Sequence, residues 1–266
     1  MHTAASPVKD VATARGLKVL QPASARDPAL HEEVRALSVD AAVVVAYGKL
    51  LPLSLLEIPP LGFVNLHFSL LPKYRGAAPV ERAVIDGVRE TGVSTMVLTE
   101  GMDEGPVLSS QVVTVGPDET AGELGDRLAT MGAPLLVETL ERYASGELVP
   151  TRQNHDAATY APKLTSTDAR IDWSAPAASI HNLVRGLNPA PGAWTQLRGG
   201  RLKVWRVRVI DRPGLESGEL VAGDDLIAGC GDGAVVLVDV QMAGRSRMTG
   251  GELSRGLRLA PGEKLD

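Results

Sequence analysis

The first half of the chain alternates short apolar segments with amphipathic ones, and this alternation limits the fold more than any other feature. Residues 40–47 form a nearly continuous apolar segment of strand length, and residues 63–67 and 93–98 form two more. Strands whose two faces are both covered by helices have such apolar runs. Helical candidates lie between them, the longest over residues 119–143. Strands alternating with helices predict an α/β domain with a mostly parallel sheet.

The pattern changes beyond residues 150–167, a polar stretch that contains Pro and several Thr. The chain then has short apolar runs separated by turn residues, and Gly231-Asp-Gly233 is a hairpin signal. Within residues 202–210 the apolar positions switch from even to odd numbers, which indicates a β-bulge. We therefore predict a first domain over residues 1–158, a linker over 159–167 and a small C-terminal β-barrel over 168–266.

Polar side chains stand at the ends of two of the predicted strands. Asn65 and His67 are two residues apart, which places both side chains on one face of an extended chain. Pro72 ends that strand region, and Asp103 lies at the end of the 93–98 strand. Open α/β sheets keep their ligand sites at such strand ends. The three residues are therefore site candidates, although ordinary hydrogen-bonded polar groups would give the same pattern.

Motifs around these residues resemble the formyltransferases that use 10-formyltetrahydrofolate. The resemblance runs from about residue 6 to the C-terminus, and it implies a Rossmann-like first domain and an OB-like barrel as the second. Its motifs are Asn65-x-His67, Ser69-Leu-Leu-Pro72, Arg75-Gly-Ala-Ala-Pro79, Met102-Asp-Glu-Gly-Pro106, and the segments over residues 159–164, 169–173 and 185–194.

The resemblance implies that Asn65, His67 and Asp103 catalyse transfer of a formyl group from 10-formyltetrahydrofolate. The residue types fit, because an amide can donate to a developing oxyanion, an imidazole can move a proton, and a carboxylate can orient that imidazole. The implied acceptor is the α-amine of methionyl initiator tRNA, for translation initiation. A sugar amine is the rival acceptor, and a copy without activity that still binds folate or RNA is the rival of another class.

The binding residues fall into two predicted groups. The formyl donor would be bound by the loop and strand-end residues Ser69, Leu70, Leu71, Pro72, Tyr47 and Gly48. The tRNA phosphates would be bound by the basic residues Lys73, Arg75, Arg201, Lys203, Arg206 and Arg208. Phosphate contacts give a salt-dependent affinity. For the last four residues, which lie on and beside one strand, a solvated strand face is the alternative.

The charge distribution agrees with an anionic partner for the second half. Residues 1–160 contain 13 Lys/Arg and 20 Asp/Glu, a net charge of −7, whereas residues 161–266 contain 14 and 12, a net charge of +2. Random scatter of surface charge explains this count equally well. Neither G-x-G-x-x-G nor G-x-x-x-x-G-K-[ST] occurs, and His67 has no neighbouring His or Cys. We therefore expect neither a nucleotide cofactor nor a metal.

Three further features concern the compartment and the N-terminus. The single Cys230 excludes an intramolecular disulfide, and neither a membrane-length apolar run nor a secretory signal is present. We therefore expect a cytoplasmic protein without a membrane partner. Its expected oligomeric state is a monomer. Members of the family begin with an apolar strand, a Gly-containing turn, a second strand and a basic loop, about forty residues in all. The start of this chain, from Met1, resembles the region that follows that loop. Without these elements, the 40–47 strand would have an unpaired apolar edge.

Overall fold

The computed structural model describes residues 6–260 and 262–266, and its first domain is built around a four-stranded sheet. In chain order the elements are α1 (Pro7–Ala14), α2 (Pro28–Leu37), β1 (Ala42–Val44), α3 (Leu53–Leu56), β2 (Phe63–His67), β3 (Arg75–Gly76), α4 (Pro79–Ile85), β4 (Glu90–Val97), β5 (Val107–Thr114) and α5 (Ala121–Ala144). The strand order in the sheet is β1–β2–β4–β5. This domain is mixed α/β, as the alternation of segments predicts.

The strand directions differ from the prediction of a mostly parallel sheet. β1 is parallel to β2, but β4 is antiparallel to β2, and β5 is antiparallel to β4. One pairing of the three is therefore parallel in the described part of the chain. The apolar sequence of β4 predicts correctly that the strand is buried, but burial does not depend on strand direction. Beside this sheet, β3 pairs in parallel with β6 (Tyr160–Ala161), which belongs to the predicted linker.

Helix α5 confirms the longest helical prediction. Its N-terminus is a capping box, in which Thr120 and Glu123 each accept a hydrogen bond from the other's backbone N–H. Leu124 and Leu128 are fully buried in the core between this helix and the sheet. Among the helices of residues 6–260 and 262–266, none is both long enough and apolar enough to cross a membrane.

β1 forms one edge of the sheet. Within the described residues it pairs only with β2, and the side chains of Val43 and Val45 are each 46% exposed. Leu17, Leu20 and Leu50 are further large apolar residues that are exposed. In the part of the chain that the structure describes, the expected unpaired apolar edge is therefore present.

The second domain is an antiparallel sheet with two helices. Its elements are α6 (Ala177–Gly186), β7 (Ala193–Leu197), β8 (Gly200–Ile210), β9 (Leu220–Val221), β10 (Ile227–Gly229), β11 (Ala234–Met242), β12 (Met248–Thr249) and α7 (Gly250–Leu257). The order is β7–β8–β11–β10–β9, and β12 pairs with β11. The predicted bulge is observed, because the pairing of β8 with β11 shifts register at Trp205. The shift lets Leu202, Val204 and Val207 all join the core.

The last residues of the chain contact both edges of this sheet. Gln196 of β7 and Asp266 exchange two backbone hydrogen bonds, and Leu220 of β9 donates its N–H to Glu263 O at 2.7 Å. The buried Thr195 hydroxyl donates to Asp266 O at 2.7 Å and accepts from Trp173 Nε1 at 2.9 Å. The exposed edges of β7 and β9 are thereby covered.

The Thr195 hydroxyl should therefore contribute to stability. Replacing Thr195 with Val keeps the shape but leaves the buried Trp173 indole N–H without its acceptor. We expect a loss of about 1–3 kcal/mol in the free energy of unfolding, measured by urea denaturation. Thr114→Val, at an exposed position of β5, is the matched control and should change the same quantity by less than about 0.5 kcal/mol. Equal effects of the two substitutions would contradict this account of Thr195.

Candidate active site

Asn65 and His67 lie at the C-terminal end of β2 and face the same cavity. β2 has a strand partner on each side, so all five of its residues are buried. His67 Nε2 lies 2.9 Å from Tyr74 O, and this carbonyl can only accept a hydrogen bond. In the neutral form of His67 the contact therefore places the proton on Nε2, and Nδ1 is the nitrogen with a free lone pair.

The Asn65 side chain has no such partner. Its residue is 8% exposed, and its amide makes no side-chain hydrogen bond within residues 6–260 and 262–266. Most buried polar groups in proteins are hydrogen-bonded. The amide at the cavity surface is therefore available to bind a ligand.

Asp103 approaches His67 from the loop that connects β4 and β5. Its Oδ2 lies 3.7 Å from His67 Nδ1 and accepts a hydrogen bond from Gly76 N at 2.8 Å. The His67–Asp103 distance is too long for a hydrogen bond, and the two groups form an ion pair only when His67 is protonated. Asp103 has a φ of +51°, in the left-handed region that residues other than glycine seldom adopt. The three predicted catalytic side chains are thus brought together.

The cavity beside these three residues has a volume of about 540 Å³. Such a volume is typical of sites for small organic ligands. Its walls are mainly apolar, and Tyr47 and Gly48, which follow β1, belong to them as predicted. Ala121, Gly122 and Gly125 form another wall at the N-terminal end of α5. A side chain at Gly125 would meet no atom within 4 Å of its Cβ, so the wall is open at this point.

The loop over residues 69–72 lies outside the cavity wall, unlike Tyr47 and Gly48. None of its four residues lines the cavity. Ser69 is fully buried, where its hydroxyl donates to Lys73 O at 2.6 Å and its carbonyl accepts from Ser94 Oγ at 2.8 Å. Leu71 N also donates to Ser94 Oγ, at 3.2 Å. In this structure the loop is held against β4, behind the C-terminal end of β2.

Arg75 requires a correction, because the side chain predicted to contact tRNA is 1% exposed. Its Nε and Nη2 donate to Gln153 Oε1 at 3.1 and 2.7 Å, and its Nη1 lies 3.4 Å from His155 Nδ1. A guanidinium group in this position cannot reach a phosphate at the surface. Lys73, two residues earlier, is exposed and keeps that possibility.

Gln153 is the main site residue that the sequence analysis missed. It is 8% exposed, and its amide nitrogen donates to Asp103 O at 2.9 Å and to Gly105 O at 2.7 Å. It lies in the polar stretch between the domains, where a Gln is expected to face solvent. No local pattern distinguishes it from its exposed neighbours, since its partners are distant in sequence.

The four basic residues of β8 divide into two pairs. Arg201 stacks on Trp194 at 4.2 Å, and Lys203 lies 5.0 Å from the ring of Trp205. Such cation–π contacts leave the charge available to an anion. The second pair is already neutralised in part, as Arg206 lies 2.9 Å from Asp239 and Arg208 lies 3.4 Å from Asp225.

Comparison with known proteins identifies the family. The family model described as formyl transferase matches residues 1–140, and the one described as formyl transferase, C-terminal domain, matches residues 163–258. The chain belongs to the formyl transferase family. A methionyl-tRNA formyltransferase of Streptomyces coelicolor is 46% identical over 98% of this chain and 85% of its own length. One of Heliobacterium modesticaldum is 45% identical over 97% and 84% of the two lengths.

Solved structures of other proteins share the fold. HypX from Aquifex aeolicus, crystallised in complex with tetrahydrofolic acid, superposes with a TM-score of 0.67 at 19% identity, covering 90% of this chain and 42% of its own. WlaRD, a sugar 3N-formyl transferase, superposes with a TM-score of 0.68 at 14% identity, covering 90% and 82% of the two chains. At these identities the likeness is one of fold alone.

Proposed function

We propose that the chain transfers the formyl group of 10-formyltetrahydrofolate to the α-amine of methionyl initiator tRNA. The observation that carries the proposal is the convergence of Asn65, His67 and Asp103 on one cavity. Relatives named methionyl-tRNA formyltransferase, 42% to 46% identical over nearly the whole chain, support this acceptor. We also propose that the protein acts in the cytoplasm and is a monomer.

Each of the three residues has a distinct role in the proposed mechanism. The donor, when bound, supplies a formyl carbonyl that an amine can attack. Asn65 donates to the carbonyl oxygen as this oxygen gains negative charge. His67 Nδ1 takes the proton of the attacking amine and passes it to the nitrogen that leaves, while the new C–N bond forms and the old one breaks. Asp103 stabilises the imidazolium, and its 3.7 Å distance from Nδ1 leaves this atom accessible.

The cavity suits a folate donor. Its volume of about 540 Å³ and its mainly apolar walls agree with binding of a flat pterin ring, for which Tyr47 and Gly48 supply one side. The structural neighbours HypX and WlaRD, crystallised with tetrahydrofolic acid and in the presence of 5-N-formyl-THF, support this donor class. Contact through Ser69, Leu70, Leu71 and Pro72 stays a prediction, because it would require this loop to present its backbone to the cavity.

A sugar amine is the second candidate acceptor. It is favoured by likeness of fold alone, as to WlaRD, whose identity to this chain is 14%. The direct test is formylation of charged initiator tRNA by the purified protein, with amino sugars as competing acceptors. Formylation of the tRNA alone supports the proposal, and formylation of the sugar alone contradicts it.

We propose that the C-terminal domain binds the tRNA as an OB-like barrel, beyond a linker over residues 159–167. Residues 263–266, hydrogen-bonded to β7 and β9, would close the barrel. Arg201 and Lys203 would contact phosphates first, because Arg206 and Arg208 are already paired with carboxylates. Lys73 would contact the acceptor end near the active site. The net charge of +2 of residues 161–266 agrees with this arrangement.

The catalytic assignment predicts large effects on turnover. His67→Ala and Asp103→Ala should each lower kcat by at least ~10²-fold, because each removes a group that handles or stabilises the transferred proton. Initial rates of tRNA formylation at saturating substrates measure this. His181→Ala changes a histidine outside the cavity, paired with Asp118, and should leave kcat nearly unchanged. A normal rate in either active-site variant would remove that residue from the mechanism.

The folate assignment predicts that Gly125→Met blocks the donor. The new side chain has room to extend into the cavity, and Met favours a helix more than Gly, so stability should be kept or rise. We expect binding of 5-formyltetrahydrofolate, measured by calorimetry, to weaken by at least ~10-fold, since the side chain competes for the same space. Gly256→Met in α7 has equal room and lies away from the cavity. Undiminished binding by the Gly125 variant would place the donor elsewhere.

The tRNA assignment predicts a change in salt dependence. Arg201→Ala combined with Lys203→Ala should raise the KM for tRNA and reduce the slope of log affinity against log salt by roughly 1.5. Folate binding should not change. The matched pair Arg206→Ala and Arg208→Ala should have the smaller effect, as both side chains already have carboxylate partners. A larger effect of the second pair would reverse the assignment.

A further inference from the structure

The position of Asp103 depends on contacts from outside its own loop. Its left-handed backbone conformation is unfavourable for a residue with a Cβ, so the loop requires external support. Gly76 N holds the carboxylate at 2.8 Å. Gln153 Nε2 holds the backbone, through Asp103 O at 2.9 Å and Gly105 O at 2.7 Å.

The orientation of the Gln153 amide is determined by Arg75. A guanidinium group can only donate, so the oxygen of the amide must face it and the nitrogen must face the two carbonyls. Arg75 donates to this oxygen through both Nε and Nη2. In the reversed orientation the amide NH₂ would face the N–H donors of Arg75. The amide oxygen would then face the carbonyl oxygens of Asp103 and Gly105, which can only accept. The buried contacts therefore specify one orientation.

Arg75 also strengthens the contact between Gln153 and the Asp103 loop. It is 1% exposed, and its nearest carboxylate, Glu104, is 4.0 Å away. A buried cation that donates to an amide oxygen polarises the amide and makes its N–H groups better donors. Arg75 precedes Gly76 in β3, and both residues of this short strand support Asp103. Gly76 donates directly to the carboxylate, whereas Arg75 acts on the backbone carbonyl through Gln153.

We propose that Gln153 and Arg75 are positioning residues that act on catalysis through Asp103. Neither lines the cavity, so neither touches the substrates. The inference rests on the proposed catalytic role of Asp103 and adds two residues from the segments that surround it. A purely structural role for the same pair is the alternative, and it predicts different kinetics.

The test is a double-mutant cycle in the chain of residues 1–266. Gln153→Glu has nearly the same shape and keeps an acceptor for Arg75, but removes both donors to the Asp103 loop. We expect kcat for tRNA formylation to fall about 10-fold or more, because small displacements of a catalytic group are costly. The KM values for both substrates should change less than about 2-fold. In an Asp103→Asn background, Gln153→Glu should lower kcat by less than about 2-fold further, since its target is already impaired.

Two further variants complete the test: one is a control for the loss of a buried hydrogen bond, and the other probes the same contact from the Arg75 side. Thr139→Val removes a different buried hydrogen bond, to Thr95 on β4, and should not alter kcat. Arg75→Lys keeps the charge but loses the two-pronged contact with Gln153, and should show the same pattern with a smaller factor. It keeps the inference testable if the Gln153 variant does not fold.

The outcomes separate the inference from the proposed function. An equal loss of kcat in both backgrounds, or a rise in KM without a loss of kcat, would overturn the positioning role. A normal kcat of Asp103→Asn alone would overturn the catalytic role of Asp103, and the positioning role with it. A loss confined to the background with an intact Asp103 supports both.

Discussion

Buried polar groups need partners, and at the end of β2 this requirement brings four segments of the chain together. His67 is paired with the carbonyl of Tyr74, and the carboxylate of Asp103 with Gly76 N. The guanidinium of Arg75 is paired with Gln153. An unpaired buried charge or amide is costly, so each pairing constrains the position of the next. The Asn65 amide has no such partner among residues 6–260 and 262–266, and it faces the cavity.

Much of this arrangement follows from local sequence patterns. The two-residue spacing of Asn65 and His67 decides that they share a face, and the apolar runs before them and before Asp103 decide that both lie at buried strand ends. The bulge of β8 is visible as a change in the phase of its apolar residues. These features depend on neighbours within a few positions. Sequence alone is sufficient for them.

The features that were not predicted depend on contacts between distant residues. Arg75 is an exposed residue by its type, and it is buried because Gln153, 78 positions later, accepts its hydrogen bonds. The antiparallel direction of β4 is likewise invisible in an apolar run, which indicates burial of both faces and nothing about direction. The Ser69–Pro72 loop has the composition of a ligand loop, but the hydroxyl of Ser94 holds it against the sheet. Each difference between prediction and structure therefore depends on a contact with a residue outside the segment itself.

The segment between the domains has a consequence for how the protein can be divided. Residues 151–161 bridge to β5 at Thr151, hold Asp103 through Gln153 and add β6 to β3. The family model for the first domain ends at residue 140, before all of these contacts. A fragment cut there, or a chimera joined there, would keep every cavity residue yet lose the support beneath the carboxylate. An exchangeable catalytic module has to extend past Ala161.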